Sequence, residues 1–201
     1  IMPNDGMVRP GLLVSQDNLP FGEITRLGGG WTAQTATLLA PLTAVPTTVA
    51  ALELWNNTTS GMNMVISDVF ADMILGTAAA QAFAIYACVL VSKAVPTLTA
   101  LTVNSLSGRA AYTSAAGSRV VTGVGTTVIA AGWRPWGNPM AWGTAAATPG
   151  PSWNAAVDGK LIVPPGSSLA LHIVGSLTTA SSFQVGASWY EVSNTTYPAV
   201  A

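Results

Sequence analysis

The stretch MNMVISDVFADMIL, residues 62–75, alternates along its length. Met62, Met64, Ile66 and Asp68 fall on one side of an extended chain, and Asn63, Val65, Ser67 and Val69 on the other. A period of two over this length specifies a strand, because successive side chains point to opposite faces of a sheet. Upstream, VAALELW (49–55) is a second strand in which Glu53 alternates with apolar neighbours. The residues between them, Asn56-Asn57-Thr58-Thr59-Ser60-Gly61, form a turn by composition, since Asn and Gly tolerate positive φ. Downstream, AFAIYACVLVS (82–92) is a near-continuous apolar run fit for a central strand.

The same reading extends to the C-terminus. LTALTVNSL (98–106), SRVVTGV (118–124), TTVIAAGW (126–133), KLIVP (160–164), SSLALHIVGS (167–176) and SFQVGASWYEV (182–192) are further short strands with little helical periodicity. Pro164 and Pro165 cannot donate to a ladder, so they mark a strand boundary, and Gly166 supplies the turn. Beyond them Leu169, Leu171 and Ile173 face one side, and Ala170, His172 and Val174 the other. In the last strand Phe183, Val185, Ala187 and Trp189 alternate against Gln184, Gly186, Ser188 and Tyr190, which places Trp189 in or near a core. The expected fold class is all-β: an antiparallel two-sheet sandwich of jelly-roll type, which suits a count near eight strands, with an extended N-terminal arm.

The arm is residues 1–48 and the sandwich domain residues 49–201. Pro3, Pro10, Pro20, Pro41 and Pro46 interrupt regular structure in the arm, and Gly28-Gly29-Gly30 reads as a flexible joint. Leu12, Leu13, Val14, Phe21, Ile24, Leu27 and Trp31 are too apolar for a solvated tail, so the arm needs another surface to lie on, its own domain or, by preference, a neighbouring subunit.

Charge narrows the function. Only 7% of the 201 residues are Asp, Glu, Lys or Arg, against about 25% in an ordinary soluble domain. A net charge of −1 with no basic patch argues against nucleic acid as a partner, since such binding rests on Lys and Arg neutralising phosphates. A soluble monomer covers itself with mixed charges. A chain without them implies that part of its surface is covered by copies of itself. The uncharged stretch MILGTAAAQAFAIYACVLVS (73–92) reaches the length of a membrane span, but Gly76, Thr77 and Gln81 interrupt it and it divides into two strands around a small-residue turn. No membrane partner is expected.

Catalysis has little to draw on. His172 is the only histidine and sits inside an expected strand; Cys88 is the only cysteine and sits inside an apolar run. One His and one Cys do not make a zinc site, and no nucleophile elbow, phosphate loop or dinucleotide fingerprint occurs. The expectation is no enzyme activity, no metal and no cofactor. Asp68 and Asp72 share a face about 13 Å apart by the rise of a strand, too far for a catalytic carboxylate pair. Asn56, Asn57 and Asn194 each open a match to the N-glycosylation acceptor pattern, and in a Thr-rich chain chance matches are expected.

One cluster is unusual. GWRPWGNPMAWGTAAATPGPSW (132–153) holds Trp133, Trp136, Trp142 and Trp153, four of the seven tryptophans, among Gly, Pro and Ala. It reads as a long connecting loop. Trp and Arg are enriched at interface hot spots, so Trp133, Arg134, Trp136, Trp142 and Trp153 are the interface or receptor candidates, with Arg134 placed to stack on a ring. The alternative is a loop folded back over its own sandwich.

LELWNNTTSGMNMVISDV (52–69), and DGKLIVPPGSSLALHIVGS (158–176) followed by SSFQVGASWYEV (181–192), resemble segments of small jelly-roll proteins of phage and virus particles. Many of those form trimers like the tumour-necrosis-factor fold. The resemblance covers about 60 residues. It implies a structural virion protein, a decoration, spike or fibre subunit at the particle surface, with itself (as a homotrimer) and other virion proteins as partners. Two other readings are a glycan- or receptor-binding module using the Trp-rich loop, with a host-surface glycan as partner, and the main capsid shell protein.

Overall fold

A computed structural model of the chain describes residues 21–36, 38–46, 50–76, 81–90, 102–108, 114, 119–121, 132–142, 152–176 and 181–195. Their order is α1 (Phe21–Arg26), β1 (Gly30–Gln34), β2 (Leu52–Trp55), β3 (Met62–Leu75), β4 (Gln81–Leu90), β5 (Asn104–Ser105), β6 (Arg119–Val121), β7 (Arg134–Trp142), β8 (Ser152–Ala156), β9 (Ile162–Val163), β10 (Ser168–Gly175) and β11 (Ser182–Ser193). Two antiparallel sheets result. Sheet A runs β5-β1-β11-β3-β8, with β9 also on β3, and sheet B runs β6-β2-β10-β4-β7.

The pairing is nested. The first strand pairs with the last, β2 with β10, β3 with β8 and β4 with β7. Contacts of β11 with β3 and of β10 with β4 then close each sheet. The chain is thus a long antiparallel hairpin folded over into two layers. Its core lies between them, where Leu52, Leu54, Met64, Ile66, Val69, Ile85, Leu169, Leu171, Phe183, Val185 and Trp189 are fully buried. Phe83 of sheet B meets Phe183 of sheet A edge to face, with centroids 4.7 Å apart, the geometry ring quadrupoles favour.

Local chemistry explains the turns. Ser167 N–H donates to the Pro164 carbonyl at 3.1 Å and Gly166 has φ 80°, a type II turn with proline and glycine in their preferred places. The Asn56 amide donates to the carbonyls of Met62 (2.7 Å) and Val163 (2.8 Å), which ties the β2–β3 turn to β9.

Four expectations need correction. Asp68 does not share a face with Met64 and Ile66. Trp189 pairs with Ile66 and Ser188 with Asp68, so Ser67 is an extra residue on β3. This bulge shifts the alternation by one, and Val69, Ala71 and Met73 continue the core face while Asp68, Phe70 and Asp72 turn outward. Nor is the described part of the arm an arm. Gly30–Gln34 is a mid-sheet strand between β5 and β11, and Leu39 continues the pairing by exchanging hydrogen bonds with Phe183. Trp31 and Ala33 alternate into the core, which is a stronger driving force than the prolines are a barrier, because Pro41 and Pro46 fall beyond the strand. Residues 1–20 lie outside the described residues. Gly28-Gly29-Gly30 is not a loose joint: Gly29 N–H bonds to the Ile24 carbonyl and Gly28 N–H to that of Thr25, both at 2.9 Å, and Gly28 has φ 95°. That is the glycine cap that ends a helix, here turning α1 into β1.

The fourth correction concerns the tryptophan segment, which forms β7 and β8 and leaves 143–151 outside the described residues. Pro135 and Pro139 fit because β7 is an edge strand. Between the pairs Phe83–Met140 and Ile85–Trp136, β7 carries two more residues than β4, and Gly137 (φ 70°) makes the bend. The described parts of 73–92 are the end of β3 and all of β4, and no helix among the described residues is long and apolar enough to cross a membrane. Residues 126–131 of the expected strand TTVIAAGW lie outside the described residues.

Candidate functional site

The rings of Trp133, Trp136 and Trp153 are committed largely to the chain's own packing. Trp133 is 8% exposed and packs with Ala50, Cys88, Leu90 and Ala170 on the outer face of sheet B. Trp136 and Trp153 are half-buried against the core between the sheets, and the Trp153 ring stands edge-on to Phe183 with centroids 5.9 Å apart. The indole N–H groups of Trp133, Trp136 and Trp153 are buried without a hydrogen-bond partner among the described residues, so these rings act as apolar area. Trp142 is the last residue of β7, opposite Gln81, and Arg134 is exposed at its start, opposite Ala87. The candidates are brought together as neighbouring strand residues, not as one projecting loop.

The outer face of sheet B is closed over β2, most of β10 and the end of β4, while Ala84 and Tyr86 are half-buried and Ala82 is exposed. Glu53, Trp55, Cys88, Leu90, Ala170 and His172 are all buried there. Burial and the nearby Glu53 carboxylate push the Cys88 thiol up to about 12, a packed thiol and not a nucleophile. His172 is 5% exposed, opposite Tyr86. Its Nδ1 lies 2.9 Å from the Ile173 carbonyl oxygen, so Nδ1 carries the proton that bridges them. Burial holds its pKa below the ordinary histidine value, with that hydrogen bond acting in the opposite sense.

The outer face of sheet A is open. Registered across β1, β11, β3 and β8, its outward residues are Thr32, Ser188, Asp68 and Ala156 in one row and Gln34, Gly186, Phe70 and Asn154 in the next. A third row carries Gln184, Asp72 and Ser152. Burial raises the Asp68 carboxyl above the usual range, against the lowering effect of hydrogen bonds from Ser188, Ser67 and Asn154. The Ser152 hydroxyl donates to Asp72. The Phe70 ring lies over Gly186, where any Cβ would collide with it. Sequence reading missed this face. The signal was present as the apolar positions 64, 66, 69, 71 and 73, whose phase slips by one at Ser67.

No protein family, curated protein or solved structure matches the chain.

Proposed function

We propose that the chain is a structural subunit of a virus or phage particle, which self-associates and packs on neighbouring subunits at the particle surface as a decoration, spike or fibre component. The observation that carries this reading is the near-absence of charge, 7 basic and 8 acidic residues in 201, on a stiff two-sheet scaffold. Such a surface favours association over monomeric solubility. The nested strand order supports the jelly-roll assignment, an architecture of two four-stranded sheets that recurs in capsid domains. In that reading β1, β11, β3 and β8 form one four-stranded layer and β2, β10, β4 and β7 the other, with β5, β6 and β9 as additions.

Exposed apolar side chains suggest where copies meet. Leu38 (37% exposed) and Leu75 (45%) flank the start of β11 from its two sides. The test is the solution mass of the purified protein by light scattering in detergent-free buffer. A stable trimer or larger closed assembly supports the reading, and Leu75→Asp then lowers the mass. A monomer that persists at high concentration overturns it.

A further inference from the structure

We propose that the outer face of sheet A is a binding site for a neutral saccharide, with the Phe70 ring as the stacking platform and Asp68, Asp72, Asn154, Gln184 and Gln34 as hydroxyl partners. This site does not depend on the assembly reading.

Availability is the first reason. Of the two outer sheet faces, that of sheet B is buried over β2, most of β10 and the end of β4 and offers Ala82, Ala84 and Tyr86 beyond them, whereas that of sheet A carries exposed Gln34, Ser152 and Asn154. Chemistry is the second. A sugar ring offers an apolar C–H face and a rim of hydroxyls, each both donor and acceptor. Phe70 supplies one aromatic ring in a field of polar side chains, and Gly186 opposite it leaves room for the ring to lie on the strand. Gln34 and Asn154 flank it in its own row, and their amides donate and accept. Asp68 and Asp72 stand in the rows on either side. Strand spacing puts Gln34 and Asn154 roughly 14 Å apart, and rise per residue puts Asp68 and Asp72 about 13 Å apart, a patch broad enough for more than one sugar ring.

Charge selects the ligand class. No Lys or Arg stands in these three rows, and two carboxylates do, so acidic glycans and phosphates are repelled. A second copy docking face to face would bury Asp68 and Asp72 with no Lys or Arg in these rows of either copy to pair with them, which is unfavourable. Neutral polyols meet neither obstacle. The acceptors are also oriented in advance: Ser188, Ser67 and Asn154 hold Asp68, and Ser152 holds Asp72. Ordering before binding reduces the entropic cost of association.

The experiment is a screen of the purified full chain against neutral and acidic oligosaccharides, followed by calorimetry on any hit. Expected is millimolar-or-tighter binding of a neutral saccharide, weakened at least about tenfold by Phe70→Leu and by Asn154→Ala, the scale of one lost contact of 1.4 kcal/mol. Arg134→Ala, on the edge of sheet B, should bind normally, and light-scattering mass should be unchanged in every variant. Binding of acidic glycans only, no binding at all, or binding that survives both Phe70→Leu and Asn154→Ala overturns the proposal. Loss in Arg134→Ala with retention in Asn154→Ala overturns it too, and moves recognition to the tryptophan segment.

Discussion

Trp153→Ala separates a tryptophan segment that is core from one that is contact surface. Truncating a fully buried Trp costs about 3–5 kcal/mol, and Trp153 is half-buried, so its area loss is about 2 kcal/mol. The edge contact with Phe183, at 5.9 Å and 85°, adds about 1 kcal/mol. The sum, about 3 kcal/mol, is a large fraction of the roughly 5–15 kcal/mol that holds a domain together. With a urea m-value near the upper end of about 1–3 kcal/mol/M for a chain of this length, the midpoint should fall by about 1 M. The assay is urea unfolding followed by far-UV circular dichroism, at one protein concentration because assembly contributes to apparent stability. A double-mutant cycle with Phe183→Leu should return a coupling of about 1 kcal/mol. An unchanged midpoint together with a reduced solution mass would refute the reasoning, and would mean that the ring serves a neighbouring subunit.

His172 ties stability to pH. Its folded pKa is lowered, so as pH falls through about 6.5 the unfolded chain takes up the proton first and stability is lost toward the folded value. The urea midpoint should therefore drop between pH 7.5 and 5.5, and His172→Gln should flatten that slope; an identical slope in the variant counts against it. Cys88, with its thiol pushed up to about 12, should react with a disulfide reagent at pH 8 only as fast as the chain unfolds, at a rate independent of reagent concentration. Rapid labelling of the native protein would contradict its burial. Asn56→Ala removes the side-chain donor to the buried Val163 carbonyl and one of two side-chain donors to the Met62 carbonyl, which keeps Ser60, and should cost about 2 kcal/mol in unfolding experiments. Asn56→Asp should offer no rescue, because the lost group is the donor.

Much of the fold is legible in side-chain alternation, because a strand's period is fixed by its covalent geometry. Leu169, Leu171 and Ile173 face the inter-sheet core as their spacing requires, and Phe183, Val185, Ala187 and Trp189 do the same from sheet A. Pro164-Pro165-Gly166 is a turn for reasons that need no partner. What the sequence conceals is everything set by a distant strand. Gly30–Gln34 is a strand because β11 lies beside it, more than 150 residues later, and no local signal outweighs two nearby prolines and three glycines. The tryptophan segment has the composition of a loop, yet an edge position excuses its prolines and a two-residue excess opposite β4 absorbs its glycine. Residue type points such rings to an interface, and type cannot distinguish a ring packed on Phe183, as Trp153 is, from one packed on a partner.

The bulge at Ser67 is where fold and function meet. With regular alternation the side that holds Met64 and Ile66 would also hold Asp68, and a carboxylate would enter the apolar inter-sheet core beside Trp189, at a desolvation cost that none of the described residues of that core cluster carries a charge to offset. Instead the chain keeps the carboxyl, inserts one residue opposite β11, and leaves Asp68 half-buried on the outer face with its ionised form disfavoured by burial. Bulges recur beside functional sites because they re-aim a side chain, and carboxyls with raised pKa recur there because burial beside polar groups shifts them. Asp68→Asn should accordingly leave stability at pH 7 equal or higher, while saccharide binding falls. Loss of stability in Asp68→Asn with saccharide binding unchanged would refute this reading of the bulge.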